Sequence, residues 1–411
     1  MRGVVVALAL MFGLALVGCS EDDPQQGPTT ELLIAIDAPF SEAPYVGETI
    51  KQGVQLAVDQ INERGGIQTA HGTYTLRVET FDNALSSQRA LENVRRAIDA
   101  DALVIVEEGT GVDASWEVAS EADVPIGIVY QGGVGLVDLE TRPNVFRIAP
   151  TDHGIAFRFA EYLEPKGLKV GFLHDDSGYG KQGKLAFDDP FGYIPDAVAA
   201  DIEIPSASTD YAPQVLRAKR SGATALLVWG TSATISKVVR TVRTSGWDVP
   251  IYTPPAGADP LVRQQLADHP EWVDGLTFAS GRMTAEVGPG PFLKFQTAYE
   301  AKFGRDETGV KTGNGDTVYQ PPEYAMYPYD FINVLAKAIE AAESSERADV
   351  LAALEQVAIR GANGDERGFN EKNHEGVVDD DVYFAVFHDM MFAPVDDDPL
   401  SASLDVIPQT D

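Results

Sequence analysis

Apolar residues in the first half of the chain follow two alternating patterns. Short apolar or alternating runs predict strands, and stripes that repeat every three or four positions predict helices between them. The predicted strands span residues 32–36, 74–81, 102–106, 125–129 and 145–148. The predicted helices span residues 49–64 and 87–100, and the first of them ends at Gly65-Gly66, a typical stop signal.

The same rhythm restarts at residue 169. Predicted strands span residues 169–174, 198–204, 223–229, 251–253 and 276–279, with helices from about residue 180, at 211–221 and at 233–246. The later chain is mostly helical, at residues 292–303, 322–342 and 347–357, and closes with short strands at 368–370 and 382–388. Two half-chains of similar rhythm predict an α/β fold with two lobes, each built on a parallel sheet.

The N-terminal segment has a different character from the rest of the chain. Arg2 precedes an apolar run at 4–17, which is shorter than the roughly 20 residues of a membrane-spanning helix. The run ends in Leu16-Val17-Gly18-Cys19, which resembles a bacterial lipobox, so we expect a lipoprotein signal peptide at 1–18 and lipidation of Cys19. A coincidental cysteine after a signal or a short membrane helix is the alternative.

Residues 20–30 contain no apolar side chain, so a flexible lipidated tether is predicted at 19–30. The body of the protein is then held by lipid outside the cytoplasm at a bacterial membrane, in the periplasm or at the cell surface.

Net charge excludes some classes of partner. The chain has 31 basic and 63 acidic residues, a formal charge of −32, which repels the phosphate backbone of nucleic acids. Two acidic runs, at 379–381 and 396–398, are expected to be solvated loops. One cysteine and six scattered histidines favour neither disulfides nor a metal site, and no cofactor is predicted.

Catalytic and nucleotide-binding motifs are weak. Residues 178–184 match a phosphate-loop spacing, but Leu185 replaces the hydroxyl that binds magnesium, and Asp175 and Asp176 lie directly before the motif. Ser177 lacks the glycine two positions earlier that a nucleophile elbow requires. The sequence therefore favours a protein that is not an enzyme, although a triad assembled from distant positions stays open.

Loops rich in small residues follow several predicted strands. They are Gly109-Thr110-Gly111, Gln131-Gly132-Gly133 and Gly230-Thr231-Ser232. In open α/β sheets, ligands bind beyond the carboxyl ends of the strands, so these loops indicate a binding crevice or, equally, ordinary strand-to-helix turns. A later cluster of tyrosines is expected to pack in the core; its members are Tyr319, Tyr324, Tyr327 and Tyr329.

Several of these segments together resemble one family. The stretch from Gly53 to Ile67 is similar to the opening of the type I extracellular solute-binding proteins of the branched-chain amino acid (leucine/isoleucine/valine) group of ABC importers. Further pieces agree in order, at residues 104–110, 146–152, 174–180, 208–211 and 329–330. The resemblance covers about residues 31–390.

The resemblance implies two Rossmann-like lobes that are joined by three crossings and close on a ligand by a hinge motion. The crossings are expected near residues 148, 279 and 384. Lobe 1 is then residues 31–148 plus 280–384, and lobe 2 is residues 149–279 plus 385–411. The resemblance also implies a monomer that carries a small-molecule solute to an ABC permease.

The resemblance also implies site residues. Thr110 aligns with the hydroxyl that holds the ligand's carboxylate, and Tyr179 with the tyrosine that closes over the ligand. Gly132 replaces a threonine in the second carboxylate-binding loop. The remaining candidates are Glu108, Tyr130, Gln131, Trp229, Ser232 and Ala256.

One expected partner of the ligand is missing. The glutamate that pairs with the amine in the family falls within residues 254–257, which contain no acid, and Asp259 is nearby but out of register. A buried ammonium without a carboxylate is costly. We therefore expect an amide, carboxylate, aromatic or peptide-like solute, or a cation met by Glu107 or Glu108. A ligand-sensing receptor with a separate signalling partner is the alternative to import.

Overall fold

The computed structural model describes residues 28–281, 290–305, 307–311, 315–378 and 382–402. The predicted signal peptide, Cys19, most of the predicted tether and the acidic run at 379–381 lie outside the described residues. None of the helices in these described ranges is both long and apolar enough to cross a bilayer.

The first sheet contains six strands. They are β1 (Thr29–Ala38), β2 (Ile67–Thr69), β3 (Gly72–Asp82), β4 (Ala102–Glu107), β5 (Ile126–Ile128) and β6 (Val145–Arg147). Their order is β2-β3-β1-β4-β5-β6, and only the β2–β3 pair is antiparallel. Strand β4 is buried along its whole length, as expected for a parallel sheet covered by helices on both faces.

The remaining strands form a second sheet and two short hairpins. They are β7 (Val170–Asp175), β8 (Val198–Ile204), β9 (Ala225–Trp229), β10 (Ile251–Thr253), β11 (Leu276–Ser280), β12 (Glu307–Lys311), β13 (Thr317–Tyr319), β14 (Ala358–Arg360), β15 (Glu366–Gly368), β16 (Tyr383–His388) and β17 (Met391–Pro394). The second sheet has the order β17-β16-β11-β10-β9-β7-β8 and is parallel from β11 to β8. Strands β16 and β17 join it antiparallel.

Helices cover the faces of both sheets. They are α1 (Pro44–Glu63), α2 (Ser87–Asp99), α3 (Val112–Glu121), α4 (Asp152–Leu163), α5 (Gly178–Gly192), α6 (Ala212–Arg220), α7 (Ser232–Thr244), α8 (Pro260–Gln265), α9 (Gly290–Phe303), α10 (Met326–Ala342), α11 (Arg347–Leu354) and α12 (Pro399–Ala402). The stripe of Ile50, Val54 and Val58 on α1 packs in one core with Phe331 and Leu335 of α10. The predicted α/β architecture with two lobes is confirmed.

Helices α3 and α4 were not predicted. Most residues of α4 are buried, and its narrow outer face of His153, Phe157 and Glu161 includes an apolar ring, so the polar spacing that would reveal a helix in the sequence is weak. Its start is locally encoded, because the hydroxyl of Thr151 accepts a hydrogen bond from the Gly154 amide at 2.8 Å and caps the helix.

The link between β6 and α4 lies where the first crossing was expected, near residue 148, whereas the lobe bounds after residue 279 differ from the expected ones. The crossings lie between β6 and α4, between β11 and α9, and between β15 and β16. Ser280 and the first two residues of β16 belong to the second sheet, so residues 280–384 do not all form lobe 1. The β12–β13 hairpin also packs on the second lobe, where Val310 and Val318 enter its core.

Two further expectations about loops are wrong. Thr29 and Thr30 pair with β3, so the predicted tether at 19–30 extends too far into the chain. Asp398 in the second acidic run is only 2 % exposed. Its two carboxylate oxygens accept from Nη2 of Arg158 at 3.0 and 3.1 Å, because that guanidinium is itself buried and requires a counter-charge.

Candidate functional site

A cavity of about 190 Å³ lies between the lobes, where the carboxyl ends of both parallel sheets meet. Seven of the nine predicted ligand-binding residues line it: Glu108, Tyr130, Gln131, Gly132, Tyr179, Ser232 and Ala256. A larger groove of about 1140 Å³ lies on the first lobe, along α1, α9 and α10. The smaller cavity is the candidate site, since ligands of open α/β sheets bind at the carboxyl ends of strands.

The first lobe supplies the wall that follows β4 and β5. The Glu108 side chain is 2 % exposed and accepts hydrogen bonds from Nδ2 of Asn83 at 2.8 Å and from the Thr110 amide at 3.2 Å. The Gln131 amide donates to the Glu108 carbonyl at 2.8 Å, which links the two loops. Burial raises the pKa of Glu108, and the bonds from Thr110 and Asn83 offset part of the rise.

Gly132 shows why no hydroxyl occurs at its position. A Cβ added there would lie 2.4 Å from the Asp152 nitrogen and 2.5 Å from the Pro150 oxygen. The Gly132 carbonyl also accepts from the Asp152 amide at 2.8 Å. The first crossing therefore packs directly against this loop, and any side chain at residue 132 would displace it.

The second lobe supplies the facing wall from the starts of α5 and α7 and the turn before α8. The Tyr179 ring tilts against the Trp229 ring, with centroids 6.1 Å apart. Ser232 is the first residue of α7, and Ala256 lies in the single 3₁₀ turn after β10. The wall is thus built mainly from residues at or next to helix beginnings.

Two predicted site residues do not line the cavity. The Thr110 hydroxyl accepts a hydrogen bond from Nε2 of Gln131 at 3.0 Å, and Gln131 lines the cavity whereas Thr110 does not. Trp229 is fully buried in the core of the second lobe and supports Tyr179 from behind. The roles of Thr110 and Trp229 in ligand binding stay predictions, because the sequence does not show which side chains pack in front of them.

Eleven lining residues were not among the predicted ligand-binding residues, and three of these eleven carry ionisable side chains: Asp152, Asp259 and Tyr324. Asp259, set aside as out of register, reaches the cavity and accepts from the Leu261 amide at 2.8 Å at the start of α8. Tyr324, expected only in the core, packs there and also faces the cleft. Asp152 is the first residue of α4. The spacing of Thr151 and Gly154 around it predicts a helix N-cap, but nothing in it predicts a contact with a ligand.

Burial controls the charge of the cavity acids. It raises the pKa of Asp152 to about 7, against a smaller opposite effect of Arg147. It also raises the pKa of Asp259, although hydrogen bonds from the Leu261 amide and the Ser232 hydroxyl lower it in part. The acids are therefore poised to change charge when a ligand enters.

The carboxylate of Asp175 accepts hydrogen bonds at the amino-terminal ends of α5 and α7 in the second lobe. This buried carboxylate accepts from the amides of Ser177 at 3.2 Å and Thr231 at 2.9 Å, and from the hydroxyl of Thr234 at 2.8 Å. A Cβ on Gly230 would lie 2.5 Å from the same carboxylate. The protein's own anion therefore neutralises the positive ends of α5 and α7.

Within the described ranges, no cluster of histidine, cysteine, aspartate or glutamate has the arrangement of a metal site.

Comparisons with known proteins identify the family and the fold. The family model for periplasmic binding proteins matches residues 34–398. A leucine/isoleucine/valine-binding protein homolog of Brucella abortus is 28 % identical over 193 residues, which is 43 % of this chain and 46 % of the relative. The chain thus spans about half the length of that relative.

Two solved structures share the fold across almost the whole chain. The branched-chain amino acid transporter substrate-binding protein of Streptococcus pneumoniae, in complex with isoleucine, has a TM-score of 0.71 at 23 % identity, covering 88 % of this chain and 97 % of its own. A solute-binding protein of an ABC transporter from R. palustris, in complex with 4-hydroxybenzoate, has a TM-score of 0.71 at 17 % identity, covering 88 % and 95 %.

Proposed function

Since the chain belongs to the type I periplasmic binding protein family, a family of extracytoplasmic solute-binding receptors rather than enzymes, we propose that it delivers a small polar solute to an ABC permease. Lipid on Cys19 holds it at the membrane, and it acts as a monomer. The related proteins bind isoleucine in one case and 4-hydroxybenzoate in another, so the proposed ligand is an amino acid or an amide, carboxylate or aromatic relative.

The observation that carries this proposal is the composition of the cavity wall. Residues from the first sheet and residues from the second sheet face the same small volume. A solute that contacts both walls binds the closed arrangement better than the open one, so it shifts the population toward closure. The Val134 amide already donates to Oε1 of Gln182 across the cleft at 3.0 Å, a contact that closure would retain and opening would break.

A thermal-shift panel tests binding directly. The purified protein is heated with branched-chain and other amino acids, amides, aromatic acids, short peptides and polyamines. A ligand at 100 times its dissociation constant stabilises the fold by about 2.7 kcal/mol. Small-angle scattering with the best ligand then tests closure, and an unchanged radius of gyration on saturation would contradict the hinge mechanism.

Uptake measurements test delivery of the solute to a permease, and lipid labelling tests the anchor on Cys19. Deleting the gene should abolish accumulation of the radiolabelled ligand, and a Cys19→Ala variant should lose incorporation of labelled fatty acid. If deletion leaves uptake intact but removes a regulatory response to the ligand, the protein is a sensor rather than an import receptor. Labelling that persists in Cys19→Ala would refute the anchor.

A further inference from the structure

The charges that line the cavity have one sign. Among the described lining residues, three are acidic, Glu108, Asp152 and Asp259, and none is lysine, arginine or histidine. Three carboxyl groups around about 190 Å³ repel one another when ionised. This arrangement becomes favourable when a positive charge lies among them.

One carboxylate oxygen of Asp152 is buried without a hydrogen-bond partner among the described residues. Its side chain is 1 % exposed, and its Oδ2 atom has no hydrogen-bond partner within the described residues. The nearest cation, Arg147, is already held by Glu375 and by the carbonyls of Gln131 and Gly133. A buried carboxylate without a hydrogen bond is costly, so its free oxygen marks a place for a donor or a cation.

Aromatic rings form the other side of the cavity. Tyr130 and Tyr324 lie with ring centroids 4.9 Å apart at 49°, and Tyr179 lines the cavity from the opposite lobe. Burial raises the pKa of all three phenols, so the rings stay neutral. Faces of neutral aromatic rings attract cations, most strongly when the site is desolvated.

The cavity offers little to a carboxylate. Thr110 does not line the cavity, and Gly132 has no hydroxyl and no room for one. The amides of Ser177 and Thr231, which precede α5 and α7, are already bonded to Asp175, whose charge opposes a second anion at these helix ends. An entering carboxylate would therefore meet like charge without compensating donors from these groups.

Resting on the proposed receptor function, we propose that the cleft selects a small organic cation without a carboxylate, a quaternary or protonated amine. Asp152 and Asp259 of the second lobe balance its charge opposite Glu108 of the first lobe. The rings of Tyr130, Tyr179 and Tyr324 surround its apolar surface. Closure brings Glu108 toward the two acids of the second lobe, and the cation between them stabilises the closed state.

Isothermal titration of the purified protein tests this with matched probes. Choline is compared with its neutral isostere 3,3-dimethylbutan-1-ol, which has the same shape but no charge, and with the zwitterion glycine betaine. Choline should bind, and both the isostere and the betaine should bind about tenfold or more weakly. Leucine and 4-hydroxybenzoate complete the set.

Substitutions locate the charge partners. Asp259→Asn retains a good helix cap and should weaken choline binding by roughly tenfold, and Asp152→Asn should have a similar effect. Asp248→Asn removes the same charge from an exposed position outside the cavity and should leave the affinity within about twofold. Circular dichroism of each variant confirms that it folds, and the isostere comparison needs no variant at all.

Tighter binding of leucine or 4-hydroxybenzoate than of choline would overturn the cation proposal and leave the receptor function intact. Equal binding of choline and its isostere, or no binding of choline, would also overturn it. Equal effects of Asp259→Asn and Asp248→Asn would refute the role of Asp259. The receptor function itself fails only in the uptake experiment, which does not depend on the ligand's charge.

Discussion

Replacing Glu375 with glutamine removes the charged partner of a buried arginine at the junction of the lobes. Arg147, at the end of β6, is 3 % exposed, and its Nε and Nη2 atoms donate to the two carboxylate oxygens of Glu375 at 2.7 and 2.5 Å. Nη1 donates to the Gly133 carbonyl at 2.9 Å. The substitution keeps the size of residue 375 but breaks the two-bond pairing with the guanidinium.

The expected loss in free energy of unfolding depends on how deeply the Arg147–Glu375 ion pair is buried. Breaking a fully buried ion pair costs about 3–5 kcal/mol, whereas an exposed pair contributes about 0–1 kcal/mol. Glu375 is 24 % exposed, Arg147 keeps its carbonyl bonds, and glutamine still accepts one hydrogen bond. The expected loss in free energy of unfolding is therefore about 2 kcal/mol, between the two limits.

Urea denaturation followed by tryptophan fluorescence measures this loss. Glu371→Gln, an exposed substitution of the same type four residues earlier, is the matched control and should change stability by less than about 0.5 kcal/mol. Because Arg147 also holds the loop at Gln131 and Gly133, ligand affinity should fall together with stability. A Glu375→Gln protein as stable as the control would refute the assignment of this pair as the anchor of the cleft loop.

Two further predictions concern packing and pH. Gly53→Ala should lower the free energy of unfolding by about 1–3 kcal/mol, because its Cβ would lie 2.3 Å from the Ala325 oxygen. The control Gly192→Ala meets nothing within 4 Å and should be neutral. Equal melting temperatures of the two variants would refute the close contact of α1 with the start of α10. Burial raises the pKa of Glu107 well above its usual value, so folding favours its protonated form and stability falls as pH rises above about 4.5. The melting temperature should therefore fall less steeply between pH 5 and 8 in Glu107→Gln than in the exposed control Glu117→Gln, and parallel pH profiles would contradict this.

The strands were predictable because buried strands consist of short runs of apolar residues, which can be recognised in the sequence. Residues 102–106 and 251–253 are apolar runs whose predicted positions agree with β4 and β10 to within one residue. Helix α4 was missed because contacts on nearly every side remove its periodicity. The β12–β13 hairpin was missed because its packing on α8 depends on residues far away in the chain.

The candidate site also has residues that local sequence predicts and contacts that depend on the tertiary structure. Local sequence placed Glu108, Tyr130 and Ser232 after strands, and the ends of parallel strands meet at one edge of a sheet. It did not show that Gln131 would donate a hydrogen bond to Thr110, since that contact joins two loops 21 residues apart. Nor did it show that Asp259 would reach the cleft from the start of the next helix.

The sequence by itself determined the class of fold, the order of its strands and helices, and the loops from which a binding site is built. Those properties follow from hydrophobic period and turn chemistry, which act over a few residues. Only the tertiary structure decided which side chains face the cavity and what charge they present. Glu108 comes from the first lobe and Asp152 and Asp259 from the second, and the burial that raises the pKa values of these three acids arises only when the chain is folded.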